Sequence, residues 1–254
     1  MNKIALTIMG LALGAISLSA QERRLEIVIP SMDDILSNKV EISKTKGQVE
    51  TSLSVAFPMY FGTTVLTDVN YKGAWALTEI FNDGFLEMRP SKNFVYALDL
   101  AAMHIRSGAF DVSMGLRWTF MDFTFADPAY TLRRIGSKTF LPSRIDDENP
   151  AYDYTKSKIH ASYFGIPLRL SLNYDKATIY AGASIELLTE GYSKYKHPMD
   201  RQNIREAFND VRATVEAGFS WNRIGVFVMY GLTPLFPDSL SDARTLSFGL
   251  TLGM

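Results

Sequence analysis

From about Ser52 to the last residue, apolar side chains return at every second position, a period that only a β-strand turns into two distinct faces. The apolar rows are Leu53, Val55, Phe57, Met59 and Phe61; Phe94, Tyr96, Leu98 and Leu100; Phe110, Val112, Met114, Leu116, Trp118 and Phe120; and Phe164, Ile166, Leu168, Leu170 and Leu172. They continue with Ile179, Ala181, Ala183, Ile185 and Leu187; Val211, Ala213, Val215, Ala217, Phe219 and Trp221; Ile224, Val226, Val228, Tyr230 and Leu232; and Leu246, Phe248, Leu250, Leu252 and Met254. The opposite faces carry Asp99, Asp111, Arg117, Arg169, Glu186, Arg212 and Glu216 among Gly, Ser, Thr and Ala.

The connections between these rows alternate in length. Arg106-Ser107-Gly108, Tyr174-Asp175 and Asn222-Arg223 are hairpin turns, whereas the stretches near 63–93, 126–157, 191–209 and 233–244 are long. Short turns on one side and long loops on the other are the layout of an outer-membrane barrel with an even number of strands. An Arg or Lys pointing into the bilayer midplane costs about 2–4 kcal/mol, so the charged faces are expected inside and the apolar rows against lipid. Tyr174 and Trp221 at the turn end, with Trp118, Phe120, Phe123 and Phe125 at the other, read as two interfacial aromatic girdles. A soluble barrel of the lipocalin kind would reverse the faces. Its water-facing side should then be rich in Lys and Glu rather than in small residues.

The expected fold is therefore all-β, an eight-stranded antiparallel transmembrane up-and-down β-barrel over residues 50–254. Ahead of it, Lys3, the uncharged apolar run Ile4–Ile16 and the small residues Ser17, Ser19 and Ala20 form a signal peptide over residues 1–20, with cleavage after Ala20. Residues 21–49 are expected to be a periplasmic segment: Leu25–Ile29 alternates, but Pro30 and the charges after it argue against another span. A net charge of -1 offers no basic surface for nucleic acid. The absence of Cys removes disulfides, thiol chemistry and a lipid anchor on Cys.

Tyr163-Phe164-Gly165-Ile166-Pro167-Leu168-Arg169-Leu170, followed after a short turn by Ile179-Tyr180-Ala181-Gly182-Ala183-Ser184, resembles the aromatic-x-x-Ile-Pro-Leu and Tyr-x-Gly-x-Ser/Gly strands of the PorT-like outer-membrane β-barrel family of Gram-negative bacteria. Val228-Met229-Tyr230-Gly231-Leu232 is similar to that family's Arg-Tyr-x-x-Gly-Leu segment without its Arg, and the chain ends on Met254 where such barrels usually end on an aromatic residue. The resemblance covers roughly Ser52 to Met254. It implies a cell outer-membrane location and a broad barrel class, some of whose members serve a secretion system. It assigns no catalytic, cofactor-binding or metal-binding residue.

About eight strands leave an interior just wide enough for its own side chains, which argues against a diffusion porin. The inward charges should form a plug of ion pairs, Asp99 with Arg117 and Glu186 with Arg212; a selective pore lined by them is the alternative. The sharpest catalytic candidate is His160 with Ser162, both on the lipid-facing side of their strand. Outer-membrane lipid A deacylases are similar in carrying a His-x-Ser pair there with a Glu on a neighbouring strand. The expected hairpin register puts Thr189 opposite His160 and Leu187 opposite Ser162, with Glu186 and Glu190 on the wrong face, so no acid completes the pair. His104 lies near a turn and His197 in a loop, and no His cluster has metal-ligand spacing.

The long loops are the better place for recognition. The one from Ala126 to Ser157 holds Tyr130, Arg133, Arg134, Phe140, Asp146, Asp147, Tyr152 and Tyr154, a mixture suited to protein or glycan contact or to a mobile surface loop. Ala74–Phe81 reads as a short helix or a strand extension. The expected function is non-enzymatic: a structural, adhesion or secretion-accessory role through the external loops. The expected partners are the lipid bilayer, lipopolysaccharide, and secretion-system or surface proteins. The alternative is a lipid-modifying hydrolase using His160 and Ser162.

Overall fold

A strand with one charged and one apolar face must bury one of them, and eight such strands can do so by closing on themselves. The structure, a computed structural model, describes residues 41–46, 49–54, 58–79, 85–135, 139–144, 155–196 and 200–253. The signal peptide, residues 21–40, Val55, Phe57, His197, Asp146, Asp147, Tyr152, Tyr154 and Met254 lie outside the described residues.

Thirteen strands are described, and eight close a ring of antiparallel hydrogen-bonded neighbours. In chain order the eight are β3 (Met59–Thr67), β4 (Phe94–Ser107), β5 (Phe110–Thr124), β8 (Lys156–Tyr174), β9 (Ala177–Lys196), β11 (Val211–Trp221), β12 (Ile224–Gly231) and β13 (Arg244–Leu252). Each pairs with the next, and β13 returns to β3 with Leu252 opposite Met59 and Arg244 opposite Thr67. The result is an all-β, barrel-like sheet; seven of its strands fall on alternating runs, whereas the first run, Leu53 to Phe61, enters the ring only at Met59. Among the described residues, no helix is long and apolar enough to cross a membrane.

The turns are those a right-handed twist favours. Asn222 and Arg223 both adopt positive φ, 48° and 73°, between Trp221 and Ile224, and Gly108 (φ 58°) and Asp175 (φ 51°) open the other two turns. Neighbouring turns also hydrogen-bond sideways, Asn173 N–H to the Ala109 carbonyl and Asn222 N–H to that of Lys176.

Five strands lie off the ring. β1 (Glu41–Lys46) forms a hairpin with β2 (Val49–Ser54), and β2 continues the β3 edge along β4. β1 falls in the segment expected to precede the sheet. β6 (Tyr130–Ile135) and β7 (Thr139–Arg144) make a hairpin inside the second long connection, and β10 (Asp200–Asn203) pairs with the tip of β9. The helix α1 (Gly73–Glu79) resolves the ambiguity over Ala74–Phe81. Its Trp75 is fully buried against Phe85 and Phe236, with Phe236 stacked on Phe208. Aromatics from three long connections thus meet at one end of the ring.

Inner and outer faces follow the alternation. Leu168 and Leu170 on β8 are 51% and 64% exposed, while Arg117 and Glu186 on the flanking strands β5 and β9 are 0% exposed. Inside, the half nearer the long connections is an apolar core that includes Val95, Met121, Phe123, Ile159, Tyr163 and Met229. Phe123 and Phe125 are therefore interior core residues rather than members of an outer girdle; Trp118 and Phe120 remain on the outer face. Residues 123 and 125 have the opposite parity to 118 and 120 and so point inward.

Candidate functional site

The middle of the ring holds a cluster of ionised groups that joins neighbouring strands and also bridges across the ring. Arg117 on β5 donates from Nε to Asp99 Oδ1 at 2.6 Å and from Nη1 to Glu216 Oε2 at 2.6 Å. Arg169 on β8 donates from Nη1 to Asp99 Oδ2 at 2.6 Å and from Nε to Glu216 Oε1. Two guanidinium forks and two carboxylates thus alternate around a square that links β4, β5, β8 and β11. The Tyr60 ring lies 4.7 Å from the Arg117 guanidinium, and its hydroxyl donates to Asp99. Next to this, Arg212 meets Glu186 at 2.8 Å, and Thr119 and Ser184 donate to Glu186 Oε1. Three Arg balance three carboxylates, so the buried charges cancel.

Both expected pairs form. Asp99 and Arg117 are directly opposite in the β4–β5 ladder, and Glu186 and Arg212 in the β9–β11 ladder. Small inner residues make the room: a Cβ at Gly165 would meet Glu186 Cγ at 2.6 Å, and one at Gly182 would meet Arg169 Cγ at 2.9 Å. Beside the square lies a cavity of about 10 Å³ lined by Asp99, Ala101, Ala102, Ser113, Gly115, Pro167 and Arg169, enough for about one water. Nearer the short turns, His104 Nδ1 lies 2.8 Å from Asp111 Oδ2, beside Arg106.

His160 and Ser162 lie on the outer face, toward the long connections. The register differs from the expected one: Tyr192 faces His160 and Glu190 faces Ser162. The turn falls at Asp175-Lys176, which shifts the pairing by two residues and leaves parity intact. An irregularity at Ser162/Tyr163, where β9 carries the extra residue Thr189, then adds one more and brings Glu190 to the outer face. Glu190 is ion-paired with Arg201. The acid that reaches His160 is Asp122 on β5, Oδ1 to Nδ1 at 2.6 Å, and Lys158 binds its other oxygen. The imidazole stacks on Tyr192 with centroids 4.5 Å apart. Ser162 is buried, its Oγ 2.7 Å from Thr189 Oγ1, and Thr189 donates to the Ser162 carbonyl at 2.9 Å. With the Thr189 proton spent on that carbonyl, Ser162 is the donor of the pair, and its proton points to Thr189 instead of His160.

Asp122 was legible as an outer-parity residue just beyond Trp118 and Phe120, but it pairs with His160 across the longest connection, where turn length sets no register. Arg169 and Glu216 were assigned to the interior without partners, because their bridges cross the ring. Comparison with protein-family models finds none that matches the chain, and comparison with curated proteins finds no match either.

Proposed function

We propose that this chain is an integral protein of the outer membrane of a Gram-negative bacterium, an eight-stranded up-and-down transmembrane β-barrel of PorT-like type. Its residues 1–20 serve as an export signal, and its role is non-enzymatic: structural, adhesive or secretion-accessory, exercised at the long-loop end. One observation carries the reading. The described part of the chain exposes a continuous apolar surface around a closed ring while enclosing Asp99, Asp111, Arg117, Arg169, Glu186, Arg212 and Glu216.

In water this surface is unfavourable. Leu168, Leu170, Ile179, Ile185, Val226 and Leu250 are all more than half exposed, and burying each such side chain is worth about 1.5–3 kcal/mol. So many adjacent exposed side chains form a patch far beyond what soluble monomers carry. The height also suits a bilayer. Phe110 to Phe120 covers ten residue steps, about 33 Å along a strand, or about 25 Å after the usual tilt of about 40°. Tyr174 and Trp221 stand exposed at the turn end, and Trp118, beside the half-buried Phe120, at the other.

The decisive test is refolding of the purified chain into phosphatidylcholine vesicles. The expected product floats with lipid, resists protease over the strands and migrates faster on a gel when unheated. A chain that stays in the aqueous fraction overturns the membrane assignment.

A second reading, an outer-leaflet lipid hydrolase, is favoured by the hydrogen-bonded Asp122–His160 pair with Ser162 two residues further along the same outer face. The engagement of Ser162 with Thr189 weighs against it. Mass spectrometry of lipid A from cells with and without the protein separates the two: the first reading expects an unchanged acyl pattern, and the second expects loss of an acyl chain that His160→Asn abolishes.

A further inference from the structure

Beyond the outer aromatics, β8 and β9 each carry lysines at two successive outward positions. Lys158 is directly opposite Lys194, and Lys156 is directly opposite Lys196. On the far side of Lys194 stands Arg201 of β10, so three cations lie in one row across three strands. Like charges directly opposite on neighbouring strands destabilise a sheet unless something of opposite sign sits between them. The sheet's own acids cover only the edges of the row: Asp122 holds Lys158, and Glu190 holds Arg201. Among the described residues no acid stands within ion-pair distance of Lys156, Lys194 or Lys196, and Asp200 is bonded to Tyr195 on the inner parity. The four lysines line an open cavity of about 150 Å³, an order of magnitude larger than the one inside the ring.

Place in the fold narrows the ligand. Going outward along the same face come Phe164 and Trp118, then Phe120, then His160 stacked on Tyr192 and the Arg201 guanidinium 3.9 Å above the Tyr192 ring, then the lysines. If the apolar band lies in hydrocarbon, these cations sit one step above it, at the depth of lipid headgroups, with their methylene stems laid along the sheet. Ammonium groups at that depth recognise phosphate as point charges.

We propose that Lys156, Lys158, Lys194, Lys196 and Arg201 form a binding site for the phosphate of an anionic lipid headgroup in the outer leaflet. The site rests on the membrane assignment above and deepens it, giving the barrel one side that holds a lipid in place. Lys194, flanked by a cation on each side, is its centre.

The test uses the full chain refolded in dodecylphosphocholine micelles and titrated calorimetrically with bis-phosphorylated lipid A, the same lipid A dephosphorylated, and inorganic phosphate. The phosphorylated lipid is expected to bind at one site, and K194Q/K196Q is expected to weaken it by about 30-fold. K194R/K196R should retain binding, and the unheated gel mobility of both variants reports that the sheet is intact. Equal binding by K194Q/K196Q, or by the dephosphorylated lipid, overturns the site. Inorganic phosphate binding as tightly as the lipid overturns the lipid as its ligand. Flotation with phosphatidylcholine vesicles keeps the two readings apart: a chain that floats and ignores lipid A loses only this site, and one that binds lipid A in micelles but fails to float loses the membrane assignment.

Discussion

The two concentrations of charge in this molecule are built on opposite rules. Inside the ring, Arg117, Arg169 and Arg212 meet Asp99, Glu216 and Glu186 in equal number, and the cluster is neutral without help from outside. On the outer face of β8, β9 and β10, five cations share two carboxylates among the described residues. A buried charge must be compensated by the chain itself, because nothing else reaches it. An outward one can leave its compensation to the surroundings. The interior cluster is self-contained, whereas the lysine rows leave room for an anion from outside.

The largest effect should come from breaking the interior square. Arg117→Met leaves Asp99 and Glu216 short of a partner, and urea titration of the refolded chain is expected to show a loss of about 3–5 kcal/mol. A loss under about 1 kcal/mol would mean that the square is not what fastens the ring. Next, Leu170→Arg on the outer face is expected to lose about 2–4 kcal/mol in vesicles. The same substitution in a water-exposed apolar position would be close to neutral, so a null result there tells against lipid contact. Third, Gly165→Val drives a side chain into Glu186 and the Ile185 carbonyl, 2.3 Å from its Cβ, and should cost about 1–3 kcal/mol by the same titration. The smallest effect belongs to Glu190→Gln. Its ion pair with Arg201 is half exposed, so stability should change by less than about 1 kcal/mol. The added net positive charge should instead tighten phosphorylated lipid A, which sharpens the contrast between the two charge clusters.

The alternation made the two faces legible, since each outer residue from Phe110 to Trp118 announces its parity by its own chemistry. The short turns were legible to within one residue for the same reason: Gly108, Asp175 and Asn222 tolerate left-handed backbone. What escaped is what alternation cannot encode. The irregularity between Asp99 and Ala101 moves His104 and Arg106 to the inner parity, and the extra residue at Thr189 moves Glu190 to the outer one, both without a change in composition. β1 and the β6–β7 hairpin escaped because their residues are polar and lack a long apolar row. The Asp122–His160 contact and the lysine pairs needed the register between particular strands, set by a bulge in one case and by a long connection in the other.

The seam between β3 and β13 has a kinetic meaning. Thr67 meets Arg244 and Met59 meets Leu252, so the last ladder to zip joins segments made almost two hundred residues apart during synthesis. Until β13 emerges, both margins of the sheet stay open and ready to recruit any extended peptide. Closure is therefore a late, all-or-nothing event, and whatever escorts the growing chain has to shield those two margins until they find each other.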